Sequence, residues 1–173
     1  MTARAIVLSV PALLLTASCG YHTGGKADLL PQTIHTIAIP AFGNATTRYK
    51  LTEWVPGAIT RELLSRTRYR VVAKPDEADA VLNGAILNVM TAPTIFDTTT
   101  GRAAGIQIIA ILRVSLTDRA TGKVLFERPS MEIRQRYEVS IEQTAYFDES
   151  EAALDRLSRE VARSVVSAVL EAF

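Results

Sequence analysis

Few side chains in this sequence could act as nucleophiles or metal ligands. The 173 residues include one cysteine, Cys19, and two histidines, His22 and His35. A zinc site needs three or four His, Cys or carboxylate ligands at recognisable spacing, and the sequence contains no such set. It also contains no glycine-rich phosphate loop and no G-x-S-x-G motif. We therefore predict no catalytic residue, no metal site and no cofactor, and a protein that is not an enzyme.

The single thiol follows a segment that is typical of a secretory signal. Arg4 gives a short positive start, residues 6–15 are mostly apolar, and residues 16–18 are the small Thr-Ala-Ser. This apolar run is about half the length of roughly 20 residues that a membrane-spanning helix needs. We predict that residues 1–18 are a cleaved signal and that the chain is exported.

The small residues before Cys19 resemble the lipobox of bacterial lipoproteins, whose cysteine is acylated when the signal is removed. Leu15 lies one position further from the cysteine than is usual, so an ordinary signal with a chance cysteine is the alternative. Two or more acyl chains hold a protein stably on a bilayer. Cys19 is the predicted lipidation site, and residues 19–32 are predicted to be a flexible tether. Inner-membrane lipoproteins commonly carry Asp after the cysteine, so Gly20 favours the outer membrane.

Residues 33–173 are predicted to form one domain with alternating strands and helices. Two helices are predicted, over residues 51–66 and 148–173, and the first has Thr52 as its N-cap with Pro56 in its first turn. Strands are predicted at residues 33–42, 67–73, 80–96 and 106–118, followed by a return strand that ends near Val139, with Gly122 at positive φ in the turn before it. Apolar residues on both faces leave the register of residues 80–96 open.

The clearest periodicity lies in the last two strands and the last helix. One face of the strand at 106–118 carries Ile106, Ile108, Ala110, Leu112, Val114 and Leu116. In the return strand, Met131, Ile133, Tyr137 and Val139 point one way and Glu132, Arg134, Arg136 and Glu138 the other. The helical stripe comprises Leu154, Leu157, Val161, Val165, Ala168 and Val169, with Arg156, Arg159 and Arg163 opposite. The pattern predicts an α+β, two-layer sandwich: a mixed sheet of about four strands, polar on one face, with two helices packed on the other.

The charge balance excludes one class of partner. The net charge is +1, and Arg4 in the signal accounts for the excess, so the mature chain is neutral. Non-specific binding to nucleic acid depends on a broad positive field. We therefore predict no nucleic-acid partner.

Several segments together resemble the LptE family of lipopolysaccharide-assembly lipoproteins. They are CGYHTGG, TIAIPAFGNATTRYKLTEWVPGAITRELLSRTRYRVV, EADAVLNGAI and VSLTDRATGKVLFE. The resemblance implies two helices against a four-stranded sheet. It also implies a lipid-anchored outer-membrane protein that plugs the lumen of the LptD β-barrel from the periplasmic side and assists lipopolysaccharide transport to the outer leaflet. LptD, lipopolysaccharide and the membrane are the implied partners.

Physical reasoning supplies candidate contact residues for that role. A plug inside a polar barrel lumen needs a polar exterior, and guanidinium groups suit lipid phosphates. Arg113, Arg134 and Arg136 on the predicted polar sheet face are the candidates for partner or lipopolysaccharide contact. The cluster Arg66, Arg68 and Arg70 is a second candidate.

Two other functions remain open from the sequence. Envelope lipoproteins with similar strand–helix–strand openings activate cell-wall synthases or build secretion channels. An enzyme that acts on envelope lipids would need a dense polar constellation, which the sequence does not contain.

Overall fold

The computed structural model describes residues 30–138 and 145–173, with side chains for 30–138 and 151–173. The elements in chain order are β1 (Thr36–Ala38), β2 (Gly43–Asn44), α1 (Leu51–Arg66), β3 (Arg70–Val72), a 3-10 turn (Pro75–Glu77), β4 (Ala80–Phe96), β5 (Ala103–Asp118), β6 (Val124–Glu138) and α2 (Ala145–Leu170). No helix among these is long and apolar enough to cross a bilayer.

The strands form one mixed sheet, which confirms the predicted α+β class. The strand order is β3-β1-β4-β5-β6, with the two-residue β2 also beside β4. β1 runs parallel to β3 and β4, and β4, β5 and β6 form an antiparallel meander. The strand count is six rather than about four. Each of the five segments predicted as strands forms one, and the segment predicted at 33–42 is interrupted near Pro40 and resumes as β2.

The long strands carry the predicted core face. Ile108, Ala110, Leu112, Val114 and Leu116 of β5 are buried, and Ile133 and Tyr137 of β6 join them. The register of β4, which the sequence left open, places Leu82 opposite Leu116 and Ile86 opposite Leu112. β6 bulges between Arg128 and Met131, where Pro129 and Ser130 have no direct partner in the register. Pro129 is tolerated there because β6 is the last strand of the sheet and the bulge interrupts its pairing with β5.

The two helices lie side by side and run parallel. The ammonium of Lys50, just before α1, contacts the carboxylate of Glu151, and Arg66 at the end of α1 donates to Ser167 Oγ at 2.8 Å. Both pairs are 101 residues apart in sequence, so the helices stay aligned over the whole length of α1, about 24 Å. The predicted stripe of α2 is buried, except that Ala168 is half-buried, and its three arginines are exposed.

The start of α1 differs from the prediction. The helix begins at Leu51 after Lys50, so Thr52 is not its N-cap and Pro56 is its sixth residue, inside the helix. A proline at that position leaves the carbonyl of Thr52 without its helical donor. The backbone N–H of Phe42 donates to that carbonyl at 3.2 Å, and the Asn44 amide donates to Thr52 Oγ1 at 3.3 Å. The segment before α1 therefore supplies the backbone donor that the proline removes and adds a side-chain bond to the same residue.

Candidate functional site

The candidate surface is the face of the sheet that the helices leave uncovered, which we call the outer face. The pairing of β5 with β6 determines which side chains are neighbours on this face. Ile109 pairs with Arg134 of β6, and Gln107 pairs with Arg136. Residues directly opposite each other on neighbouring antiparallel strands point to the same side of the sheet. The outer face therefore brings Arg134 and Arg136 together, about 7 Å apart along β6.

The two arginines differ in their partners. Arg134 Nε donates to Glu132 Oε1, and the Arg134 side chain remains 61% exposed. Arg136 is exposed, and no acidic side chain of the described residues lies within ion-pairing distance of it. Exposed ion pairs contribute little to stability. Both guanidinium groups are consequently accessible to an anionic ligand or partner.

Arg113 does not belong to this pair. It lies opposite Ala85 on β4, four residues along β5 from Ile109, or about 13 Å. There it lines a shallow cleft with Asn83, Gly84, Ala85, Ser115 and Glu127. The structure thus divides the three predicted contact residues between two separate places on the outer face.

The outer face is not polar throughout, which corrects the prediction. Ile109 and Ile111 alternate with the core residues of β5, so they point to the outer face, and both are only half-buried. On β4, Met90 lies opposite Ile109 and is 44% exposed, and Ile95 lies opposite Gly105 and is 48% exposed. The alternation of β5 already places the two isoleucines on this face. The positions of Met90 and Ile95 depend instead on irregularities of β4, where Leu87 and Thr94 have no partner in the register. Met90, Ile95, Ile109 and Ile111 form an apolar stripe that runs beside Arg134 and Arg136.

The second predicted cluster lies elsewhere, at the β3 edge of the sheet. Arg66 pairs with Glu62 as well as with Ser167, and Arg68 and Arg70 are exposed on either side of the buried Tyr69. Arg68 and Arg70 line an open groove with Gln32 and His35. The backbone of His35 is held at this edge, since its N–H donates to Asp79 Oδ2 and its carbonyl accepts from the N–H of Arg70.

Carboxylates with shifted pKa values lie in turns. The N–H of His35 and the hydroxyl of Thr36 hold the pKa of Asp79 below its ordinary value. In the β4–β5 turn, hydrogen bonds from Thr100 lower the pKa of Asp97. In the β5–β6 turn, the N–H of Thr121 lowers the pKa of Asp118. Such bonds favour the ionised form and are typical of turn chemistry. Within the described part of the chain, no three His, Cys, Asp or Glu side chains are grouped so that they could hold a metal ion. Cys19 lies outside the described residues.

A family model described as LptE, lipopolysaccharide-assembly, matches residues 34–169. The chain belongs to the LptE family. That stretch contains every described strand and nearly all of α2, including the outer face. LptE membership supports a role in lipopolysaccharide assembly and a partnership with the lipopolysaccharide-transport machinery, as an envelope lipoprotein.

Solved structures share the LptE-like fold at low sequence identity. A candidate lipoprotein of Caulobacter crescentus has a TM-score of 0.54 and 14% identity, over 80% of this chain and 88% of its own. Rare lipoprotein B of Shewanella oneidensis has a TM-score of 0.51 and 18% identity, over 79% of this chain and 94% of its own. Lipoprotein B of Nitrosomonas europaea has a TM-score of 0.51 and 15% identity, over 80% of this chain and 88% of its own. No curated protein sequence matches the chain.

Proposed function

We propose that this LptE-family protein is a lipid-anchored, non-enzymatic partner of the LptD β-barrel in the outer membrane, and that it assists delivery of lipopolysaccharide to the outer leaflet. The observation that carries the proposal is the family match over residues 34–169. Residues 1–18 are the cleaved signal in this proposal, and the acylated Cys19 holds the protein at the periplasmic side.

The outer face supports a contact with the interior of a barrel. Barrel lumens are polar, so a protein seated inside one needs charged and hydrogen-bonding side chains on its surface. Glu132, Arg134, Arg136 and Glu138 alternate along β6 and are all exposed. Because they project from a paired strand, their spacing is fixed, which favours a defined contact over a mobile one.

The same face supports a contact with lipopolysaccharide. A lipid A molecule presents phosphates next to acyl chains. The outer face presents the guanidinium groups of Arg134 and Arg136 next to the apolar stripe of Met90, Ile95, Ile109 and Ile111. Guanidinium groups bind phosphate through paired hydrogen bonds. Arg134 and Arg136 are therefore the proposed lipopolysaccharide-contact residues, and Arg113 is a proposed barrel contact outside this pair.

Affinity purification of the acylated protein from envelopes tests the proposal. We expect a large outer-membrane β-barrel at a one-to-one ratio, and depletion of the protein should reduce lipopolysaccharide at the cell surface. Recovery without a barrel, or a depletion defect confined to peptidoglycan or secretion, would contradict the proposal.

A photoreactive residue at position 134 tests which face makes the contact. We expect crosslinks to the barrel or to lipopolysaccharide from position 134, and fewer from position 159 on the exposed side of α2. The variant Arg134→Gln/Arg136→Gln should weaken lipopolysaccharide binding about tenfold or more, because two charge-assisted contacts are lost. Arg159→Gln/Arg163→Gln is the matched control, since it removes two exposed arginines from the helical layer. Equal losses in both variants would count against the outer face.

A further inference from the structure

The cleft beside Arg113 crosses β4, β5 and β6 on the outer face. It is lined by Asn83, Gly84, Ala85, Arg113, Ser115 and Glu127 and has a volume of about 280 Å³. Asn83, Ser115 and Glu127 form one row across the three strands, and Ala85 and Arg113 are neighbours in the next row. Ligand sites usually measure about 300–1,000 Å³, so this cleft suits one small polar group.

The floor of the cleft is low because the residues in its middle are small. Ala85 and Ser115 are half-buried, and Gly84 contributes only backbone. Arg113 and Glu127 are exposed at the sides. The cleft therefore has short side chains between a cationic wall and an anionic wall.

The two charged walls do not neutralise each other. Glu127 lies opposite Ser115, two residues along β5 from Arg113, so the two are diagonal neighbours about 7–8 Å apart. Within the part of the chain that the structure describes, neither of them has an ion-pair partner. Elsewhere on the outer face, Arg134 and Glu132 do bond to each other. The cleft thus keeps one cation and one anion available at a fixed backbone spacing.

The next charged residue along β6 faces away from the cleft. Arg128 alternates with Glu127, so it projects to the other side of the sheet. Its guanidinium carbon lies 5.4 Å from the ring centroid of the buried Phe126. Arg128 consequently leaves the carboxylate of Glu127 free to meet a ligand.

We propose that this cleft binds a phosphoethanolamine group, with the phosphate at Arg113 and the ammonium at Glu127. A guanidinium group binds phosphate through paired hydrogen bonds. An ammonium group carries three donors, which the Glu127 carboxylate and the Ser115 hydroxyl can accept. Because two carbon atoms join the phosphate ester to the ammonium, both charges of this ligand are met at once in one small site.

A titration followed by nuclear magnetic resonance tests the proposal. The protein is the full mature chain, isotope-labelled and purified in dodecyl maltoside, an uncharged detergent. We expect free O-phosphoethanolamine to shift the backbone amide signals of Gly84 and Ala85, with an affinity at least tenfold higher than that of inorganic phosphate or ethanolamine. Equal affinities for O-phosphoethanolamine and phosphate, or no shift at these amides, would overturn the proposal.

Two single variants separate the two ends of the ligand. Arg113→Gln and Glu127→Gln should each weaken the binding of O-phosphoethanolamine about tenfold, because each removes one charge-assisted contact. Glu127→Gln should also abolish the preference over inorganic phosphate, since Arg113 then binds either anion alone. Glu160→Gln and Arg163→Gln are the matched controls, because these two exposed side chains on α2 already bond to each other. Equal losses at the cleft and on α2 would show that only general charge matters and would overturn the proposal.

Lipid-borne ligands identify the source of the group. The probes are mixed micelles with phosphatidylethanolamine or phosphatidylcholine, and lipopolysaccharide with or without a phosphoethanolamine substituent. Shifts at Gly84 and Ala85 with phosphatidylethanolamine alone would assign the site to a phospholipid, and shifts with the substituted lipopolysaccharide alone would assign it to that molecule. Shifts with neither would overturn the proposal. The inference goes beyond the proposed barrel contact of Arg113, and the titration contains no barrel, so the two can fail separately.

Discussion

The ring of Phe42 lies directly against the backbone of Gly84, in the place that a side chain at position 84 would take. A Cβ on Gly84 would be 2.6 Å from Phe42 Cδ2 and closer still to Cε2 and Cζ. Phe42 is 2% exposed, and its N–H donates to the Thr52 carbonyl that Pro56 leaves free. One aromatic residue thus joins the first third of β4 to the first turn of α1.

Gly84→Ala is expected to destabilise the protein by about 1–3 kcal/mol, because the added methyl overlaps the Phe42 ring and the buried ring has little room to move. Chemical denaturation measures the loss. Gly57→Ala is the matched control. A Cβ there meets only Arg61 Nη1, at 3.7 Å, so the change should stabilise α1 by about 0.5–1 kcal/mol. Equal stabilities of the two variants would show that Phe42 does not depend on the glycine.

Leu157→Asp is expected to unfold the protein. Leu157 is 1% exposed in the stripe of α2, and an unpaired carboxylate there costs several kcal/mol. Thermal unfolding followed by circular dichroism tests this expectation. Leu64→Asp is the control, because Leu64 is 51% exposed on α1 and the same change there should alter stability little. A native melting temperature for Leu157→Asp would mean that α2 buries a different face.

Asp79 is expected to contribute to the acid sensitivity of the fold. Its hydrogen bonds lower its folded pKa below the ordinary value of 3.8. The resulting stability is present above pH 3.8 and is lost as the pH falls through the folded pKa. Asp79→Asn keeps an acceptor oxygen but cannot ionise, so its free energy of unfolding should fall less steeply between about pH 5 and pH 2.5.

Asp79→Ala separates the charge from the hydrogen bonds. Asp79 Oδ2 accepts from the N–H groups of His35 and Thr36 and from Thr36 Oγ1, at 2.8–2.9 Å. Removing that acceptor should cost about 1–3 kcal/mol at pH 7, more than Asp79→Asn. Identical acid profiles for the wild type and Asp79→Asn would contradict the role of the ionised carboxylate.

Cys19→Ser is expected to release the protein from the membrane or to leave its signal uncleaved. Acyl chains on the cysteine supply the anchoring energy, and serine offers no thiol for their transfer. Fractionation and intact-mass measurement test this prediction. A wild-type protein that begins at Cys19 with a free amine and an unmodified thiol would contradict the prediction that Cys19 is acylated.

The sequence alone was sufficient for features that arise within one element. The stripe of α2, the core face of β5 and the alternation of β6 follow from the period of a helix or a strand, and the buried residues agree with them. Gly122 has the positive φ that its turn predicted. The family, too, was recognisable from short segments, and the match over residues 34–169 confirms it.

Only the tertiary structure decided how those elements meet. Periodicity does not report where a strand bulges, and a shift of one residue moves every later side chain to the other face. The bulge at Leu87 therefore determines that Met90 of β4 lies opposite Ile109. The bulge at Pro129 determines that Arg134 of β6 lies opposite the same residue on its other side. Pairing across the sheet separates Arg113 from Arg134, and long-range packing brings Leu30 to Tyr69 and Phe42 to Gly84. Local propensity sets each element, but the contacts between distant segments set the surfaces that a partner meets.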